Sequence, residues 1–273
     1  MKVNKLVIFM IIILLLVIFV AEGIDNNIEI TQYSIKDKRV NNPIKIALLT
    51  DMHSDKFNEQ QDLIYRLVKE QKPDLIFLSG DIIDDLKPMK QGYESIKNLP
   101  EIAPTYYVTG NHEIWSGLHE SIKKEISSYG IHLAAANKNQ VNINGNQLEI
   151  YGLTDPEIGG LYLNQLKTIG NKKKENISLL LAHRPERIGD YSKLGVDYIL
   201  SGHAHGGQWR IPYLMENGLI APNQGLFPKY TKGVIDLKNN QKLIVSRGLT
   251  VGKTSVPRLY NRPEVVIVTL QNE

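Results

Sequence analysis

The stretch Gly202-His203-Ala204-His205-Gly206-Gly207-Gln208 holds two imidazoles one residue apart inside a fence of three glycines. Such a segment is poor core material and suits metal ligation, although a surface turn that holds two histidines has the same composition. Further ligands decide between the two, and four other stretches offer them: Asp51-Met52-His53, Gly80-Asp81-Ile82-Ile83-Asp84, Gly110-Asn111-His112-Glu113 and Ala182-His183. Five of the seven histidines fall in these stretches. His119 and His132 stand outside them and read as helix-surface or part-buried residues. The chain has no cysteine, so thiolate nucleophiles and disulfides are excluded. A metal must then be held by His, Asp, Glu or Asn, donors suited to borderline and hard divalent ions.

Each of these stretches follows an apolar run: Ile44 to Thr50, Leu75 to Leu78, Thr105 to Val108, Ile177 to Leu181 and Val196 to Leu200. These runs predict buried strands with the ligands at their carboxyl ends, where open α/β sheets bind their ligands. Helical periods lie between them, from Glu59 to Glu70, Gly92 to Leu99 and Leu118 to Tyr129. The rhythm then changes. Asn144-Gly145, flanked by Val141–Ile143 and Leu148–Tyr151, is a strong hairpin signal. Proline and glycine dominate Trp209 to Lys232, which predicts loops over the site, and Leu243–Val245 with Val265–Val268 are expected to close a second sheet. Ile28 to Tyr33 begins with strict alternation and predicts an edge strand.

Taken in order, the five stretches resemble the five motifs of the calcineurin-like metallophosphoesterases, and the likeness runs from about Ile44 to the end of the chain. Gly206-Gly207-Gln208, Ser246-Arg247-Gly248 and Arg262-Pro263-Glu264 look like its membrane-associated bacterial branch, of YkuE/YaeI type. The resemblance implies an α/β fold, a four-layer α/β/β/α sandwich of two mixed sheets flanked by helices, with two divalent metal ions at one rim. Carried over residue by residue, it assigns Asp51, His53 and His205 to one metal and Asn111, His183 and His203 to the other, with Asp81 bridging. His112 would serve as general acid or as donor to a phosphoryl oxygen, oriented by Asp84. The implied reaction is hydrolysis of a phosphodiester or pyrophosphate bond by a metal-activated water. Manganese stands first among the metals, with iron or zinc as alternatives. A phosphomonoesterase, or a nucleotide-sugar lipid pyrophosphatase of UDP-diacylglucosamine type, would use the same core. From another class, the reading is a non-catalytic metal-binding envelope protein. Gly206 and Gly207 are expected to leave room for substrate and metals.

Net charge is +3, too near balance for a nucleic-acid footprint. Leu6 to Ala21 is an unbroken apolar run, with Lys2 and Lys5 before it and Glu22 and Asp25 after it. It exceeds the usual h-region of a signal peptide, which favours an uncleaved anchor over cleavage after Ala21-Glu22-Gly23. Flanking charge predicts a cytoplasmic amino terminus and a catalytic body on the outer face of the cell membrane. The expected organisation is an anchor over 1–23, a linker with an edge strand over 24–43 and a catalytic domain over 44–273. The expected substrate is a phosphoester, lipid-linked or otherwise associated with the envelope. Arg184, Arg210, Arg247 and Arg258 read either as phosphate or headgroup contacts or as structural ion-pair partners. Trp115, Trp209, Phe227 and Tyr230 read as pocket lining or plain packing. Asn171-Lys172-Lys173-Lys174 reads as a solvated loop or a contact to anionic lipid.

Overall fold

Along Ile44–Leu49, Ile44, Ile46 and Leu48 join one apolar cluster while Ala47 and Leu49 join another, so both faces of this strand are buried. Such a strand reads as a continuous apolar run, and it needs cover on two sides. The computed structural model, which describes residues 5–57, 62–135, 138–170, 175–251 and 256–272, supplies that cover in four layers. The lysine run 172–174 lies outside the described residues.

In chain order the elements are α1 (Lys5–Gly23), β1 (Glu29–Lys36), β2 (Ile44–Leu49), α2 (Leu63–Gln71), β3 (Leu75–Ser79), α3 (Lys90–Ile96), β4 (Thr105–Val108), α4 (Asn111–Trp115), α5 (His119–Ser128) and β5 (His132–Leu133). There follow β6 (Asn139–Ile143), β7 (Asn146–Leu153), α6 (Gly160–Ile169), β8 (Ile177–Ala182), α7 (Ile188–Tyr191) and β9 (Tyr198–Ser201). The last strands are β10 (Ile220–Ala221), β11 (Gly225–Leu226), β12 (Gly233–Asp236), β13 (Lys242–Val245) and β14 (Glu264–Gln271).

The first sheet has the order β1-β14-β2-β3-β4-β5 and the second β12-β13-β9-β8-β7-β6, and both mix parallel and antiparallel pairs. One core cluster lies between the sheets, with Ile46, Leu48 and Phe77 meeting Leu179, Leu181 and Leu200. A second seats α2, α3 and α5 on the outer face of the first sheet through Ile64, Val68, Ile96, Ile122 and Ile126. A third seats α6 and α7 on the second sheet through Tyr162, Ile169 and Tyr191. The β6–β7 hairpin turns at Asn144 (φ 53°) and Gly145 (φ 80°), the positive φ pair that a tight two-residue turn demands.

One feature differs from the sequence expectation. β14 closes the first sheet and not the second, running parallel to β1 and antiparallel to β2. Its side chains are buried almost throughout, because it covers the edge that β2 would otherwise expose. β1 is the outermost strand of that sheet, the edge strand that the alternation from Ile28 predicts. The helix α1 is exposed along its length and ends at a buried Gly23, and by length and composition it is able to cross a membrane.

Beyond β1, a small polar clasp joins the two sheets. Asp37 accepts from Tyr198 Oη at 2.8 Å and from Arg39 at 2.7 Å, while Arg39 also reaches Asp197. Burial alone would raise the Asp37 carboxyl, but the bonds from Arg39 and Tyr198 hold it at about 2. A folded-state value below the unfolded one, near 3.9, gives a contribution that is complete above about pH 4 and lost as pH falls through 2. Denaturant unfolding across pH should therefore place Asp37→Asn below wild type at neutrality, with the two curves converging towards pH 2. Curves that stay parallel would remove this clasp from the account.

Candidate metal centre

β2, β3 and β4 run parallel, as do β8 and β9, so the residues that follow them gather at one rim of the sandwich. There the sequence forces unusual backbone: Asp51, His53, Asp81, His203 and His205 all adopt positive φ, between 46° and 65°. Non-glycine residues held there cost roughly 1–3 kcal/mol each and persist only where the surroundings over-determine them. The surroundings here are hydrogen bonds between the two strand-end turns. Asp51 N–H donates to Gly80 O at 3.1 Å, His53 N–H to Asp81 O at 2.9 Å and Ser54 N–H to Ile82 O at 3.0 Å. Space is tight as well, since a Cβ on Gly110 would lie 2.2 Å from Asp81 Oδ1.

Among the described residues four overlapping groups of donor atoms result, each with its ligand atoms within 4.8 Å of one another. Asp51, His53 and His205 converge in one and Asp81, His183 and His203 in another, while His53, Asp81 and His112 form a third that links them and Asp84, Asp85 and His112 a fourth. His203 and His205, neighbours in sequence, thus fall on different sides. Asn111 and the six residues of the first two groups are buried. His53 Nε2, Asn111 Oδ1 and His205 Nδ1 are buried with no hydrogen-bond partner, a costly state for polar atoms that lack a ligand. The remaining hydrogen bonds fix tautomers. His183 Nδ1 donates to Ser79 O at 2.7 Å, and His203 Nε2 donates to Asn223 Oδ1 at 2.8 Å. Their other nitrogens, His183 Nε2 and His203 Nδ1, lie 3.1 Å apart with Asp81 Oδ2 3.1 Å from His183 Nε2, and the donor set fits divalent metal ions.

Electrostatics divide the histidines: burial would lower His183 and His53, but Asp81 and Asp51 raise His183 to about 10, and Asp84 and Asp81 raise His53. Burial would raise Asp81, yet His183 and His53 outweigh it and hold its carboxyl well below the ordinary range. Burial and the neighbouring His183 push His203 down to about 3, and burial with His53 pushes His205 down as well. Both rings are therefore neutral, the state in which imidazole binds metal.

The side chain of His112 is 23% exposed, whereas those of the other four histidines of the cluster are at most 9% exposed. It faces the mouth of the site, with Trp115 5.0 Å away ring to ring. The carboxylate nearest to it differs from the one the resemblance implies: Asp85 Oδ1 lies 2.6 Å from His112 Nδ1, and Asp84 Oδ2 is 3.6 Å away. Asp84 instead accepts from His53 Nδ1 at 3.1 Å and from the backbone N–H groups of Leu86 and Lys87. Adjacent acids at the end of one turn diverge, and the sequence does not reveal which ring each one meets.

Glu113 was quoted in a motif without a role, and the structure gives it one. Its two oxygens accept the N–H groups of Asp81, Ile82, Ile83 and Gly110 at 2.7–3.0 Å. One buried carboxylate thereby clasps the turns after β3 and β4. A glutamate three residues into a helix that begins after a glycine is the legible signal for such a role.

Other candidates are engaged elsewhere. Arg184 forms a two-point pair with Asp155 at 2.7 and 2.9 Å, Arg247 meets Glu264 and Glu29, Arg258 donates to the carbonyls of Thr250 and Arg247, and Arg210 donates to Glu216 O. The room at Gly206 and Gly207 is filled by protein. Cβ atoms there would lie 2.2 Å from Asn261 Oδ1 and 2.1 Å from Asn217 O. Tyr230 packs in the third core cluster, while Trp209 and Phe227 are exposed. His119 lies beside Glu120 and His132 against the Tyr106 ring, neither of them in the clusters.

A rim of buried histidines and carboxylates on a double α/β sandwich defines a metal-dependent phosphoester hydrolase. The chain belongs to the calcineurin-like phosphoesterase family, whose model matches residues 44–207. An uncharacterized metallophosphoesterase of Campylobacter jejuni is 29% identical over 90% of this chain, which spans only 64% of that relative's length. Uncharacterized metallophosphoesterase YkuE of Bacillus subtilis is 28% identical over 90% of this chain and 86% of its own. Phosphodiesterase YaeI of Escherichia coli is 31% identical over 84% of this chain and 82% of its own.

The divergence of Asp84 and Asp85 is testable by substitution. Asp84→Asn should weaken metal binding roughly 10–100-fold by loosening His53, whereas Asp85→Asn should lower turnover at full metal content. Metal titration with paired kinetics distinguishes them, and the reverse pattern would restore Asp84 as the partner of His112. Glu113→Gln turns two acceptor positions into donors, at roughly 1–3 kcal/mol for each buried N–H left unpaired. It should lower the Tm and the metal content together, and a variant with wild-type values of both would show that the clasp is dispensable.

Proposed function

We propose that the chain is a membrane-anchored, dinuclear-metal phosphodiesterase that hydrolyses phosphodiester or pyrophosphate bonds in a lipid-linked or envelope-associated substrate. The observation that supports the dinuclear reading is the presence of two ligand groups with no residue in common, together with unpartnered buried atoms on His53, Asn111 and His205. In this reading Asp51, His53 and His205 hold one ion, Asn111, His183 and His203 hold the other, and Asp81 reaches both. Manganese is the favoured metal, with iron and zinc as alternatives. When bound, two divalent ions supply positive charge for the phosphoryl oxygens and lower the pKa of an attacking water.

The protein's own groups do the rest. Asn111 offers a neutral oxygen, so the site gains a ligand without adding negative charge beside an anionic substrate. His112 Nδ1–H donates to Asp85 at 2.6 Å, which leaves Nε2, 4.0 Å from Asp81 Oδ2, to carry the proton of a general acid. It passes that proton to the departing oxygen, general-acid assistance usually worth 10²–10⁴-fold.

The anchor reading is supported by α1. Its 19 residues span about 28 Å at 1.5 Å per residue, close to the ~30 Å hydrocarbon core of a bilayer. Lys2 precedes it and Lys5 begins it, while Glu22 lies in its last turn and Asp25 follows it, which favours a cytoplasmic amino terminus with the catalytic body outside.

The test uses the full chain in detergent, loaded with manganese and offered an aryl phosphodiester, an aryl monoester and a lipid-linked pyrophosphate. The diester or pyrophosphate should be preferred. His112→Ala should lose roughly 10²–10⁴-fold in turnover at unchanged metal content, and His119→Ala should match wild type. A metal-loaded protein inert on all three substrates would favour the non-catalytic reading, and preference for the monoester would make the chain a phosphomonoesterase.

A further inference from the structure

The chain leaves the metal centre at His205 and forms a lobe that meets the centre again at Asn223 and runs on to Phe227. At its start, Asn261 Nδ2 donates to His205 O at 2.7 Å and to Gln208 O at 3.1 Å. At its return, Asn223 Oδ1 accepts from His203 Nε2 and from Arg184 Nη1. Within the lobe Leu219 N–H donates to Gly207 O and Trp209 O, and Phe227 N–H donates to Leu219 O, which lays three segments side by side. A turn closed by Leu214 and Met215 N–H on Ile211 O carries Tyr213 at its tip. These backbone groups satisfy one another, so the lobe can present side chains without presenting unpaired amides.

What it presents is apolar. Tyr213 is 94% exposed, Leu214 84%, Phe227 68%, Leu226 64%, Trp209 42% and Ile220 37%. A group of exposed large apolar residues on one lobe marks a surface that something covers.

The end of α1 points to what covers it. Leu259 N–H donates to Gln208 O and Arg210 N–H to Leu259 O, while the next residue, Tyr260, donates its N–H to Gly23 O at 2.6 Å. Tyr260 Oη reaches Phe19 O at 2.8 Å, and the two rings lie 4.8 Å apart. Gly23 fits so closely that a Cβ there would lie 2.4 Å from Leu259 Cδ1. Leu259-Tyr260 is thus a two-residue bridge between the last turn of the apolar helix and the lobe.

We infer that the lobe is a second bilayer contact, in which Trp209, Tyr213, Leu214, Leu226 and Phe227 enter the interfacial region of the leaflet that α1 leaves. The inference rests on the anchor reading and deepens it. Tryptophan and tyrosine favour headgroup level, and apolar side chains reach ~5–10 Å into the headgroup and acyl boundary. Because the lobe starts at His205 and is tied to His203 through Asn223, seating it sets the metal centre close to headgroup depth. The substrate class that fits is a lipid whose scissile phosphate lies in the headgroup.

The chain has two tryptophans, so full-length protein with Trp115→Phe reports on Trp209 alone. It is reconstituted into phosphatidylcholine and phosphatidylglycerol vesicles, with lipids brominated near the headgroup end of the acyl chain as quenchers. The expected result is loss of Trp209 emission in brominated vesicles and its recovery when Tyr213, Leu214 and Phe227 are all replaced by serine. A protein that floats with the vesicles while Trp209 remains unquenched overturns the lobe contact and leaves the anchor standing. A protein that does not float overturns both.

Discussion

Two buried carboxylates at the carboxyl ends of the neighbouring strands β2 and β3, Asp51 and Asp81, are the constraint to which the rest of the structure answers. An unpaired buried charge costs several kcal/mol even after relaxation, so the fold must surround the pair with groups that tolerate it. Backbone N–H groups do part of this: His203 N–H donates to Asp51 and His112 N–H to Asp81. Imidazoles do more, and His183 Nε2 lies 3.1 Å from Asp81 Oδ2. In the proposed reading, divalent cations would complete the balance and tie the stability of the rim to its chemistry. The same constraint explains the left-handed backbone at five of the seven residues proposed as ligands. Only sharply folded turns, clasped by Glu113, bring atoms from both sheets to one place.

Much of this was legible in the sequence, for a physical reason. Strands buried on both faces read as apolar runs, and parallel strands put their carboxyl ends on one rim. Asp51, Asp81, Asn111, His183 and His203 could therefore be grouped before any coordinate was known. The Asn144-Gly145 hairpin was equally local, since its φ values belong to the two residues themselves. What stayed hidden was non-local or fine. β14 pairs with β1 across more than 200 residues, and no periodicity states which of two sheets a buried strand joins. Asp84 and Asp85 differ by the direction of one peptide, yet one meets His53 and the other His112. The arginines carry the types of phosphate binders, but burial made them partners of Asp155, Glu264 and backbone carbonyls. Glycines 206 and 207 adopt positive φ to admit Asn261 and the 217–218 turn, so their role is packing of protein on protein.

Site and surroundings share elements. The 3₁₀ turn that begins at His205 opens the lobe, and Asn261, which braces that turn, follows the bridge to α1. A short covalent and hydrogen-bonded path therefore joins the apolar helix, the exposed lobe and the histidine ligands. This path places the metal-ligand residues on the side of the sandwich that carries α1.

The central claim is that the sandwich rim holds two ions and divides the adjacent histidines between them. The direct measurement is anomalous diffraction from manganese-loaded crystals of the full chain. The account predicts two peaks roughly 3.5–4 Å apart, with Asp81 between them, His205 on one and His203 on the other. A single peak shared by His203 and His205 would contradict it.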